Sequence, residues 1–253
     1  MNLLVCVKQV PDAQEVPMGA DNTLRREAVP QVINPADESA LGHALALKGK
    51  HGATVTVLTM GPPGAEGMLR EALARGADRA ILLTDPAFAG ADTLATARTL
   101  RAAAGKSGPY DLILCGLRAV DGETGQVGPA LAALLDAPVV TSVTALALQA
   151  DGALQATQLG DRDERVWRIE RRPAVLTVCV GSCVPPLPTL LGLRRARSVE
   201  VLRWDRVALG LAAGDCGLKG SPTRVIRVRT QEQGARACQW TTARELLDKG
   251  VLG

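Results

Sequence analysis

The run from Gly116 to Pro129, GLRAVDGETGQVGP, holds the residue types best suited to chemistry in this chain. It follows the apolar stretch Tyr110 to Cys115, and its glycines at 122, 125 and 128 leave main-chain N–H groups open to the close approach of an anion such as a nucleotide phosphate. Thr124 and Gln126 add a hydroxyl and an amide just ahead of the apolar run Leu131 to Leu135, a helix candidate whose start would favour negative charge. The same glycine spacing occurs in ordinary strand-to-helix turns, so both readings stand on spacing alone.

Other chemistries find less material. No nucleophile is paired with a base. Cys179 and Cys183 have no second cysteine pair or nearby histidine to complete a zinc site, and His43 and His51 lack a third ligand, so no metal is expected. A nicotinamide-type G-x-G is absent from the chain, and Gly105-Lys106-Ser107 has Leu100 where a phosphate loop needs its leading glycine.

A crevice loop needs a scaffold to hold it. Up to about residue 140 the sequence alternates β-branched apolar runs with alanine-rich helical ones, the signature of crossover units around a parallel sheet. Strands are expected at Asn2 to Lys8, Ala53 to Met60, Arg79 to Thr84, Asp111 to Cys115 and Val139 to Val140. Helices are expected at Ala36 to Lys50, Ala65 to Arg75, Asp92 to Ala104 and Thr124 to Leu135, where apolar residues recur every three or four positions. In such an open sheet, ligands collect beyond the carboxyl ends of the strands, where the loops after Lys8, Met60 and Cys115 begin. The long link from Pro11 to Pro35 has room for a hairpin. At its end, Asn34 and Asp37 serve either as caps of the next helix or as groups placed over the crevice.

Later the texture changes. Thr144 to Leu148, Leu154 to Leu159 and Arg165 to Ile169 read as antiparallel strands, followed by a buried strand from Ala174 to Val180. Three prolines then stiffen Val184 to Leu191, which suits either a docking surface or a rigid turn over the core. The expected fold is therefore α/β: an open, mostly parallel sheet with helices on both faces, Rossmann-like, with a small antiparallel addition. Residues 1–203 form that domain, with the antiparallel insertion near 143–170, and residues 204–253 form an arm that includes a short helix candidate from Thr242 to Lys249.

The net charge is only +3 on 253 residues, and five scattered aromatics offer no base-stacking platform, so nucleic acid is not an expected partner. No apolar run reaches the roughly 18 residues of a membrane helix. With no basic leader at the start and six dispersed cysteines that read as small apolar residues, a cytoplasmic location is expected.

Several motifs together resemble the beta subunit of electron-transfer flavoprotein along nearly the whole chain. They are VCVKQVPD from Val5, INPADE from Ile33, MGPPGAEGMLREALARGADRAILLTD from Met60, GADTLATA from Gly90 and CGLRAVDGETGQVGP from Cys115, with VPPLPTLLGLRRAR from Val184 and GLKGSPTRV from Gly217. The resemblance implies a heterodimer with an alpha subunit, which holds most of an FAD that the beta subunit approaches. It also implies an adenine nucleotide in the beta crevice, either AMP or, in flavin-bifurcating members, a second FAD.

The positions carried over for that nucleotide are Cys6, then Asn34, Pro35, Ala36 and Asp37, then Met60 and Gly61. Around the loop they are Cys115, Gly116, Ala119, Val120, Asp121, Gly122, Glu123, Thr124, Gly125, Gln126 and Val127. AMP-type members commonly carry a stretch like DDxNQTGQ here. The smaller Gly125, with the AVDGETGQVGP and GLKGSPTRV patterns, is closer to the bifurcating group and favours FAD over AMP. Leu190 matches the leucine that family members insert into a partner, an acyl-CoA dehydrogenase-like or other flavin dehydrogenase, with Leu187 and Leu191 flanking it. Two departures stand out: Pro186 replaces a common arginine, and Ala13 and Ala36 stand where AMP-type members place flavin-facing aromatics. Outside this family, a nucleotide-sensing or ATP-cleaving module of a related fold would share the same loop.

Overall fold

A computed structural model describes residues 1–12 and 30–223, with 242 and 244. The first strand, β1 (Asn2–Cys6), lies at the middle of a sheet because both of its faces are apolar: Leu3 and Val5 point into one helical layer and Leu4 and Cys6 into the other. A two-stranded antiparallel ribbon follows, β2 (Gln9–Pro11) with β3 (Gln31–Ile33), forming the base of the expected hairpin. Its body, with Ala13, is outside the described residues. Next come α1 (Pro35–His51), β4 (Thr54–Met60), α2 (Glu66–Arg75), β5 (Arg79–Leu83), α3 (Thr93–Ser107) and β6 (Leu112–Gly116).

The remaining elements are α4 (Val127–Leu134), β7 (Val139–Leu148), β8 (Leu154–Leu159), β9 (Glu164–Ile169), β10 (Ala174–Val178), α5 (Leu190–Ser198), β11 (Val201–Trp204) and the single turn α6 (Gly217–Gly220). The nine-stranded sheet runs β11-β5-β4-β1-β6-β10-β7-β8-β9, parallel except where β8 pairs with β7 and β9. Helices α1 and α2 cover one face with Leu41, Leu45, Leu69 and Leu73; α3 and α4 cover the other with Leu100 and Leu131. The mostly parallel α/β sheet with a small antiparallel addition is the architecture expected above.

Several boundaries differ for local reasons. The runs 139–140 and 144–148 are one strand, β7, because a register shift between Val143 and Ala145 and a positive φ of 56° at Ser142 break the alternation without ending the pairing. β7 lies parallel to β10 and then continues antiparallel to β8. Helix α4 begins at Val127 rather than Thr124, since Glu123 (φ 50°) and Gly125 (φ 62°) are left-handed and cannot enter a helix. Helix α5 and strand β11 have no counterpart in the sequence reading. Gly192 in α5 weakens the helical signal, yet a Cβ there would strike the Ala74 carbonyl of α2, so the glycine is what lets the two helices touch.

Trp204, the first residue of the expected arm, closes β11 beside β5. The chain from there to 223 lies along its own domain. Arg206 N–H donates to Asp85 Oδ2 at 3.0 Å, Leu218 N–H to the Ala89 carbonyl at 2.9 Å, and Thr223 Oγ1 to Asp92 Oδ2 at 2.8 Å. The helix candidate Thr242 to Lys249 falls almost entirely outside the described residues.

Candidate functional site

From β1 the chain moves outward through β4 and β5, then returns through α3 to place β6 on the other side of β1. The strand order reverses between β1 and β6, and their carboxyl ends open a crevice at that switch point. Cys6 and Cys115 are paired in register across it. Both are buried, and the neighbouring Cys6 thiol, with burial, holds the Cys115 thiol well above the usual thiol range. These two cysteines make the closed floor of the crevice rather than its exposed lining.

One turn of chain stitches the walls together. Asp37, in the first turn of α1 and 7 % exposed, accepts the Lys8 N–H at 2.7 Å on Oδ2 and the Gly116 N–H at 2.8 Å on Oδ1. It thereby ties the end of β1 to the end of β6. Burial pushes its carboxyl up to about 7, against the lowering effect of those two N–H donors, of Asn34 and of the Lys8 charge. Asn34, 1 % exposed, makes no side-chain cap bond to α1. Its Nδ2 donates to the Arg118 carbonyl at 3.0 Å and its Oδ1 accepts the Val120 N–H at 3.1 Å, which clamps the loop after β6. Of the two roles left open by the sequence, Asn34 therefore serves the crevice, with its polar atoms turned to its own chain.

Beyond the clamp, Lys8 Nζ meets Asp121 Oδ1 at 2.6 Å. Glu123 N–H turns back to the Ala119 carbonyl at 2.8 Å. Gly122, Glu123, Thr124 and Gln126 are exposed, and Gln126 Oε1 accepts from the Thr93 hydroxyl at 3.0 Å. Among the described residues, no acceptor meets the N–H groups of Thr124, Gly125, Gln126, Val127 and Gly128. That row of donors runs into the start of α4, where the helix dipole adds positive potential. Gly128 belongs to this approach as well, because a Cβ there would strike Thr177 and push α4 away from β10. Met60 and Gly61 end β4 one strand further out, with Gly61 N–H bonded to the Leu83 carbonyl at 3.0 Å. Pro35 and Ala36 open α1 beside Gly116, where an added Cβ would strike the backbone of Ala36 and Asp37.

Replacing Asn34 with alanine would leave the Arg118 carbonyl and the Val120 N–H without their partner. A loss of about 1 to 3 kcal/mol in unfolding free energy is expected from urea titration. Sequence reasoning missed Lys8, the strand-end residue whose N–H and ammonium hold both Asp37 and Asp121; its place inside VCVKQVPD was the available signal.

The second set of residues lies apart from the crevice, in the connection from β10 to α5 and in the first turn of that helix. Leu187, Leu190 and Leu191 are 80 %, 86 % and 79 % exposed. Thr189 caps α5 by accepting the Gly192 N–H at 2.9 Å, so Leu190 and Leu191 form the helix's first turn. Among the described residues no cluster of histidine, cysteine and carboxylate side chains suits a metal, and no helix is long and apolar enough to cross a membrane.

A doubly wound α/β sheet with an anion-competent loop at its switch point places this chain in the Rossmann-like class. Residues 21–209 match the electron transfer flavoprotein domain. The chain is 45 % identical over 234 residues to the electron transfer flavoprotein subunit beta of Thermoanaerobacterium thermosaccharolyticum, covering 91 % of this chain and 88 % of that one. It is 44 % identical to the subunit of the same name in Clostridium acetobutylicum, over 99 % of this chain and 93 % of that one. To the caffeyl-CoA reductase-Etf complex subunit CarD of Acetobacterium woodii it is 43 % identical, over 90 % and 87 %. The chain belongs to the electron transfer flavoprotein family, on its beta-subunit side.

Proposed function

We propose that this chain is the beta half of a heterodimeric electron transfer flavoprotein and seats an adenine nucleotide against the amides of Thr124 to Gly128. The observation that carries the reading is that row of N–H groups without acceptors, placed at the switch point of the sheet. Such a row fits a phosphate or pyrophosphate. FAD is favoured over AMP because Gly125 keeps the loop free of a side chain, and with two flavins the heterodimer would suit flavin-based bifurcation. The other FAD is shared with the alpha subunit. A bound flavin supplies the redox chemistry, and the protein supplies position and electrostatics.

In this reading Asp37, Asn34 and Lys8 hold the loop in place rather than touch the nucleotide. Cys6 and Cys115 close the floor beneath it. No side chain is asked to act as acid, base or nucleophile. Leu190, flanked by Leu187 and Leu191, docks a flavin dehydrogenase of the acyl-CoA dehydrogenase type, a partner class in keeping with the caffeyl-CoA reductase complex named for the relative from A. woodii. The arm of residues 204–253 packs on the alpha subunit. The complex works in the cytoplasm.

Counting nucleotides tests the reading. Co-purified with its alpha subunit and denatured, the complex is expected to release two FAD per heterodimer. One FAD and one AMP would keep the crevice and change its occupant, and one FAD alone would overturn the beta-site assignment. Gly125→Asn, which adds an amide at the loop, is expected to lower second-FAD occupancy by more than half, read by the same count.

A further inference from the structure

The helix that clips the crevice also grips the root of the leucine loop. After β10 the chain makes a tight turn at Cys179 to Ser182, with Gly181 at φ 75°. Three residues on one stripe of α1 meet it. Ser39 Oγ accepts the Gly181 N–H at 2.9 Å. His43 Nε2 lies 3.1 Å from Ser182 Oγ. Gly42 lies so close to the next residues that a Cβ would strike the Cys183 carbonyl and come within 3.0 Å of Pro185 N.

The hydrogen-bond directions can be worked out. Ser182 Oγ donates to the Cys179 carbonyl at 2.8 Å, which leaves its lone pairs for the imidazole, so His43 Nε2 carries the proton and donates. His43 is 7 % exposed, and burial holds it below the usual histidine range, so the neutral ring that can make this single bond is the one present at neutral pH. Pro185 is buried immediately beyond the seam, whereas Val184 is 83 % exposed and the leucines follow outward. At its far end the loop is fixed again by Gly192 against Ala74 and by Arg195 donating to the Ala77 carbonyl at 2.7 Å. Among the described residues, the side-chain hydrogen bonds of Ser39 and His43 and the close approach at Gly42 all go to residues outside the crevice loop.

We propose that Gly42 and His43 are positioning residues for electron exchange: through Ser182 and the Cys183 backbone they set the pose in which Leu190 meets the partner enzyme. The inference rests on the docking reading of Leu190 given above. A leucine 86 % exposed has little of its own chain to orient it, so its direction is inherited from the two fixed ends of the loop. Of those, the α1 seam is the end that precedes it in the chain.

The test uses the complex with the alpha subunit and a purified acyl-CoA dehydrogenase with which the wild-type complex exchanges electrons. His43→Leu, Gly42→Ala and Ser182→Ala are each expected to raise the KM for the flavoprotein about fivefold or more, with kcat within about twofold and FAD content unchanged. His43→Gln, whose amide can still donate to Ser182 Oγ, is expected to stay within about twofold of wild type. Leu190→Ala is run beside them. Combined with His43→Leu it should add little, because both act through one contact, whereas independent effects would multiply. If Leu190→Ala itself leaves KM unchanged, the docking reading fails. If Leu190→Ala raises KM but the seam variants do not, or if their effects multiply with it, the positioning inference is overturned while docking stands. Ser182→Ala removes only a half-buried hydroxyl, so it keeps the test decisive should Gly42→Ala fail to fold.

Discussion

Gly116→Ala is expected to unseat the start of α1 and empty the crevice in one step. The added methyl would fall on the Asp37 carboxylate and on the backbone of Ala36 and Asp37, none of which is the free end of a flexible side chain. Relief requires α1 to move away from β6, and that movement would break the Asp37 bonds to Lys8 and Gly116. Overpacking of this kind costs about 1 to 3 kcal/mol. Each buried N–H left unpaired adds about 1 kcal/mol or more. A total loss of about 3 to 5 kcal/mol is expected in denaturant unfolding, together with loss of the nucleotide proposed for the crevice from the purified complex. A variant that unfolds at the wild-type midpoint and retains two nucleotides per heterodimer would show that α1 and β6 are not held in this contact.

Asp37 should leave a signature in the pH dependence of stability. Its carboxyl is raised by burial from 3.8 to about 7, so the folded protein binds this proton more tightly than the unfolded chain does. The contribution is therefore complete below about pH 4 and is lost as pH rises through 7, the reverse of an ion-paired aspartate. At about 1.4 kcal/mol per unit, the span amounts to about 4 kcal/mol. Asp37→Asn cannot titrate, and it presents an NH2 to one of the two N–H groups, so it is destabilised by a constant amount. The measurement is the difference between wild type and Asp37→Asn in unfolding free energy from pH 4.5 to 8. That difference should shrink steadily as pH rises. His43, held low by burial, acts in the opposite direction in both proteins and cancels from the comparison. A difference that grows with pH would mean the carboxylate is stabilised as an anion in the folded state.

The parallel half of the fold was legible because its strands are apolar on both faces, α2 and α3 carry a 3.6-residue stripe, and α1, buried nearly all round, is rich in alanine and leucine. The crevice loop was legible because glycine at close approach leaves a mark in composition. What the sequence hid were features created by contact. Asn34 and Asp37 looked equally like helix caps, and only the positions of Gly116, Arg118 and Val120 decide that their polar atoms reach across to another strand. Ser142 interrupts β7 with a conformation no periodicity announces. Helix α5 contains a glycine that argues against a helix until the carbonyl of Ala74 is seen pressed against it. His43 read as a stray histidine because its partner, Ser182, lies 139 positions further along the chain.

The paired sulfurs beneath the crevice have a consequence for durability. Oxidants and electrophiles attack the ionised form of sulfur, and at Cys115 ionisation is opposed by both its neighbour and its surroundings. Cys115 is thereby kept inert toward oxidation and alkylation by its setting alone, with no guard residue to sacrifice.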